Sequence, residues 1–313
     1  MASLNESSLA ISEVDRPQFE KEQTECIVKA IKNEECPAKE KHVRRAIIGT
    51  WQERGNSMFW SIIGKQPLPS QAVMCWKALM VLHKILREGH ANVLKDSYVY
   101  RKTFRDLSSV YKFQGGMYSS LVLEYLKAMQ SKVDLHHKYP GIPGGLTFTP
   151  ENPVKIPGRD INDVFTFGVE TLDYQDLLLA LEDSIFQTLD KSRNNSNIAS
   201  SQCKIAPLVP IIKECSGMYD VLVQVLTKLH KNLPPDTLDG LRQRFYEQHR
   251  KLKAFCSQAS SMHYITNLTT IPAIPDTPPD FLIFKFQPKQ KREEPKEEPP
   301  APEPLAHHAL WWD

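Results

Sequence analysis

Lys29-Ala30 is followed, eight residues on, by Lys39-Glu40-Lys41-His42, which concentrates cations where one helix should end and the next begin. From Pro37 to Arg54 there are five Lys or Arg (39, 41, 44, 45 and 54) against two Glu (40 and 53), while the whole chain has a formal net charge of only +2. Proline fixes φ and is tolerated in a first helical turn, so Cys36-Pro37-Ala38 reads as the entry to a helix bearing Lys39, Lys41, His42, Arg44 and Arg45. The unbonded N–H groups of such a turn and the positive end of the helix dipole favour an anion, most naturally a phosphate. The competing reading is a solvated basic face, and spacing alone leaves both open.

Other chemistry is sparse. The sequence holds no G-x-S-x-G, P-loop, G-x-G-x-x-G or H-E-x-x-H, so an enzyme is not expected. His136 and His137 are adjacent and project to different helix faces, with no cysteine or carboxylate placed to complete a site, so neither a metal nor a cofactor is expected. Gly141-Ile-Pro-Gly-Gly145 opens no helix at once and reads as a turn. His83 and Arg87 share a helix face beside Gly89, and read as cations complementing a helix C-terminus.

A chain of 313 residues can bury a core without disulfides or metals. Its near-neutral balance excludes a general grip on nucleic acid and makes any polyanion contact local. Cysteines 26, 36, 75, 203, 215 and 256 form no CxxC pair and follow no signal-peptide pattern, so reduced, mostly buried thiols are expected. No apolar run is long enough to span a bilayer, so any membrane contact would be peripheral.

Apolar residues recur at three- and four-residue spacing nearly throughout, which predicts an all-α chain. The expected helices cover 18–34, 38–52, 56–63, 70–87, 90–112, 116–138, 160–191, 201–233 and 236–265, with glycines 55, 64, 89, 115 and 116 at the breaks. Stripes such as Val164, Phe167, Val169, Leu172 and Leu208, Ile211, Ile212, Cys215, Tyr219, Leu222 need partners to cover them. One right-handed solenoid of about nine antiparallel helices over residues 16–284 satisfies this. Residues 1–15 read as a flexible leader, and the Lys/Glu/Pro-rich stretch 285–313 as a disordered tail whose Leu310-Trp311-Trp312 is either a short docking peptide or without a role.

Lys29-Ala30, Lys39, Lys41 and His42 together resemble the phosphoinositide-binding signature of ANTH domains, the clathrin-assembly-protein N-terminal homology family. The usual pattern puts proline directly before the first Lys of Lys-x-Lys-His, whereas here Ala38 intervenes. His83 through Asp96, Gln202 through Leu208, Lys228-Leu229-His230 and Leu233 through Leu238 narrow the likeness to the huntingtin-interacting-protein branch. The resemblance implies a helical solenoid that binds phosphatidylinositol bisphosphates through Lys29, Lys39, Lys41 and His42, with Arg44 and Arg45 as a secondary basic patch. It further implies an endocytic adaptor, cytoplasmic and peripheral at the plasma membrane, in clathrin-coated pits and vesicles. Epsin-type ENTH domains are expected partners. Contact with clathrin or actin is expected only through regions that this chain lacks, so the sequence reads as a fragment or a short variant. The alternative is a helical scaffold that binds peptides or adaptor proteins, its basic patch only solvated.

Overall fold

A computed structural model describes residues 15–148, 153, 155–192 and 198–283, so the predicted leader and tail lie outside the described residues except for Asp15. The helices are α1 (Arg16–Ala30), α2 (Glu40–Glu53), α3 (Ser57–Ile63), α4 (Ala72–Glu88), α5 (Asn92–Val99), α6 (Arg101–Tyr111) and α7 (Met117–Lys138). After a long loop come α8 (Ile161–Ser192), α9 (Ala199–Ile205), α10 (Leu208–Asn232), α11 (Asp239–Ser260) and α12 (His263–Thr266). No strand occurs among the described residues. Contacts run α1 on α2, α2 on α4, α4 on α7, α7 on α8, and α8 on α10 and α11. Each helix thus covers the apolar stripe of its near neighbours, the packing of a helical solenoid.

Three expected helices are each two. The run 90–112 breaks at Tyr100, whose ring stacks on Trp60 with centroids 4.8 Å apart. Beside it, the buried Ser97 hydroxyl meets Asn56 Nδ2 at 2.8 Å and Trp60 Nε1 at 3.1 Å. The run 201–233 breaks at Ala206-Pro207, because proline cannot supply the N–H that would continue α9. The last run, 236–265, yields α11 and α12, parted at Ser261-Met262.

The centre of the stack is ionic. Glu214 of α10 is fully buried and is paired by Arg87 of α4 and Lys132 of α7, while Tyr174 of α8 donates its hydroxyl to Oε1 at 3.1 Å. His83 Nε2 stands 3.7 Å from the same carboxylate, with its Nδ1 2.9 Å from the Tyr125 hydroxyl. Burial opposes the charge on Glu214, but Lys132, Arg87 and His83 outweigh it and hold the carboxyl well below its usual range. His83 and Arg87 therefore do share a face, as their spacing predicts, but it points into the core rather than capping a helix in solvent.

The same cations fasten the glycine-rich turn. Lys132 Nζ donates to the Gly144 carbonyl at 2.8 Å and Arg87 Nη2 to that of Gly145 at 2.9 Å. His136 Nδ1 lies 3.0 Å from the Ile142 carbonyl, and His137 stacks on Tyr98, so the two histidines do face apart. A Cβ on Gly144 would come within 2.2 Å of the Leu86 carbonyl, so only glycine lets the turn lie on α4.

Candidate functional site

α1 and α2 form a tight antiparallel pair because Gly49 leaves room for Gln23, whose side-chain amide donates to the Arg45 carbonyl at 3.3 Å. This closeness brings Lys29, in the last turn of α1, beside the first turn of α2. Lys29, Lys39 and Lys41 are exposed and His42 is half-buried. Burial lowers the His42 pKa first, and the positive charges of Lys41, Lys29 and Lys39 lower it further, so all three lysines act on one imidazole. Glu25 acts against them, and the four predicted residues lie near one another where α1 ends and α2 begins.

The helix entry differs from the expectation that Pro37 lies in the first turn. Lys39 is the N-cap, with φ −65° and ψ 124°, and Pro37 and Ala38 precede the helix. The His42 N–H bonds to the Lys39 carbonyl at 2.9 Å, and no side chain caps the turn. The amides of Glu40 and Lys41 have no partner among the described residues, so they remain open to an anion. α1 also ends at Ala30, four residues before the expected 34, because Lys77 Nζ takes the Lys32 carbonyl at 2.9 Å and that of Glu34 at 3.4 Å.

Charge pairing sorts the cations. Lys29 pairs with Glu25, and Arg45 with Glu22 at 3.3 Å. Lys39, Lys41 and Arg44 have no ion pair among the described residues. Glu40, the one acid in the first turn of α2, is drawn aside by Lys84 of α4 at 3.0 Å. Lys84 keeps that carboxylate from repelling an anion at the open amides. If an anion binds at these amides, Lys84→Ala should weaken its binding about fivefold, the worth of one charge nearby, as read by calorimetric titration with inorganic phosphate.

Three positioning residues escape a reading by motif. Lys84, Lys77 and Lys204 act through pairs far apart in sequence, and Lys204, buried on α9, reaches Glu35 at 3.7 Å to hold the loop between α1 and α2. Lys77 and Lys204 are buried, and burial of a lysine is not written in local spacing. Among the described residues no three His, Cys, Asp or Glu side chains group to hold a metal, and no helix is long and apolar enough to cross a membrane. The six cysteines are unpaired, five of them buried.

These features define a helical solenoid that presents a cationic helix entry. Residues 22–284 match the ANTH domain model, and the chain belongs to that family. It is 43% identical to human huntingtin-interacting protein 1 over 268 residues, covering 86% of this chain and 26% of that protein. It is 30% identical to the endocytosis protein end4 of Schizosaccharomyces pombe over 256 residues, 80% of this chain and 22% of end4. The chain therefore spans about a quarter of the length of these relatives. A cryo-EM structure of helical ANTH and ENTH tubules on membranes containing PI(4,5)P2 aligns with a TM-score of 0.61 and 28% identity, over 84% of this chain and 98% of that one.

Proposed function

We propose that this chain is a non-catalytic, phosphoinositide-binding membrane adaptor of clathrin-mediated endocytosis, its working module lying within residues 16–284. Lys39 and Lys41 meet the phosphates of an inositol bisphosphate at the open amides of α2, while Lys29 and His42 close the site from the side. The observation that carries this reading is the convergence of three lysines on His42, with Lys39 and Lys41 free of ion pairs among the described residues. Family membership and the likeness to ANTH and ENTH tubules on PI(4,5)P2-containing membranes support the ligand and make an ENTH domain the natural neighbour. The name of end4 supports endocytosis, and with it a cytoplasmic, peripheral place at the plasma membrane, where the adaptor recruits coat or actin-linked machinery. The test is vesicle co-sedimentation across the bisphosphate isomers, comparing the wild-type protein with Lys39→Glu/Lys41→Glu.

His42 gives the site a pH dependence. Its pKa lies below 6.5 in the free protein, and a bound phosphate raises it, so the complex holds more protons than the free protein does. Affinity then rises as pH falls from 7.5 to 6. The phosphates themselves protonate near pH 6, which works the other way. The comparison is therefore with His42→Gln: the wild-type protein is expected to gain on the variant as pH falls, and parallel curves would remove His42 from the site.

A peptide-binding scaffold is the second reading. It is favoured by a groove of about 480 Å³ between α7 and α8, lined by Lys127, Gln130, Asp134, Lys138, Glu170 and Asp173. Vesicle binding that survives the double charge reversal unchanged would select it.

A further inference from the structure

We propose that the outward face of α2 is a second lipid-contacting element, a strip that enters the interfacial layer of the bilayer beside the bound headgroup. The proposal rests on the phosphoinositide reading above and names what that site needs next to it. α2 buries Val43, Ala46, Gly49 and Thr50. At 100° per residue, the side directly opposite carries Lys41, Arg44, Ile48 and Trp51. Ile48 is 46% exposed and Trp51 39%, two large apolar side chains on the solvent side of a helix that starts at the phosphate site.

Trp51 is held in place. Its indole N–H donates to the Glu88 carbonyl at 3.1 Å, and its ring meets His90 edge-on with centroids 5.4 Å apart. With its polar group satisfied by the protein, the ring offers water only an apolar rim, the character that places tryptophan at membrane interfaces. Arg44 has no ion pair among the described residues, so its guanidinium is available to lipid phosphates. Lys41 and Trp51 lie about 15 Å apart along the helix axis. A helix lying in the headgroup plane therefore turns all four towards the bilayer, where the long Lys41 and Arg44 side chains reach phosphates and Ile48 and Trp51 enter the interfacial layer.

A lipid surface suits this strip better than a protein does. Two apolar side chains fall far short of the roughly 1,200 Å² that a specific protein interface buries. The strip is also continuous with the cationic site and matches the sign of an anionic leaflet.

The test uses vesicles of phosphatidylcholine and phosphatidylserine carrying PI(4,5)P2, with soluble inositol 1,4,5-trisphosphate as the headgroup probe. Ile48→Glu is expected to lower vesicle partitioning about tenfold and Ile48→Trp to raise it, with headgroup affinity held within about twofold in both. Unchanged partitioning of Ile48→Glu overturns the strip, as does headgroup affinity falling in step with it. Vesicle binding kept by Ile48→Glu while a second copy or an ENTH domain is lost makes the face a protein interface instead. Failure of the phosphate site itself is a separate result, soluble headgroup bound equally by the wild-type protein and Lys39→Glu/Lys41→Glu.

Discussion

Glu214→Gln is expected to destabilise the fold by about 3–5 kcal/mol, because it strands two buried cations rather than removing one contact. Arg87 and Lys132 were drawn out of water to meet that carboxylate, and a neutral amide cannot compensate both. Burial already brings the Lys132 ammonium down to about 8, so its charge in the core depends on Glu214. Urea or thermal unfolding measures the loss, roughly 10 °C in melting temperature. Glu170→Gln, at the exposed pair with Lys138, serves as the control and should cost under about 1 kcal/mol.

The cluster also sets the acid limit of the fold. Burial pushes His83 from 6.5 to about 4 and His136 to about 3, while Glu214 is held below 4.5. All three bind fewer protons folded than unfolded on the acid side, so stability falls with pH there. The histidine contributions are complete above pH 6.5 and are lost as pH falls towards 4 and then 3. The Glu214 contribution is complete above 4.5 and is lost below it, so Glu214→Gln removes that lower part of the curve, while the histidines, without its charge, are held lower still.

The second large effect is expected at the membrane. Lys39→Glu/Lys41→Glu changes the local charge by four, at about 1 kcal/mol per charge near an anionic surface. Vesicle binding should fall by about three orders of magnitude, below detection in co-sedimentation. Both side chains are exposed, so the melting temperature should hold, which separates a lost site from a lost fold. The wild-type interaction should itself weaken with added salt, since exposed charges are screened. A grip of a few cations favours many copies acting together over one anchored molecule.

Periodicity made the helical class readable because every long helix needs one apolar stripe, and the stripes of α8 and α10 stand in the sequence. The basic site was readable because its parts lie within fourteen residues, Lys29 to His42. Helix starts were less so: Pro37 permits a helix to begin there, but the start at Glu40 depends on a loop that Lys77 and Lys204 hold from afar. Glu214 had a local signal, a carboxylate between Ile211, Cys215 and Met218 on a buried face. Its pairing with Lys132 and Arg87 had none, the partners being 82 and 127 residues away.

That separation also orders synthesis. Arg87 and Lys132 leave the ribosome well before Glu214, and until it arrives the first seven helices hold cations with no carboxylate to meet them. A nascent chain halted after α8 is therefore not half of a solenoid, although repeat-like folds usually tolerate shortening. The central carboxylate arrives only when α10 emerges, so a chain cut before Glu214 should lose stability at Arg87 and Lys132 as well as the contacts of the missing helices.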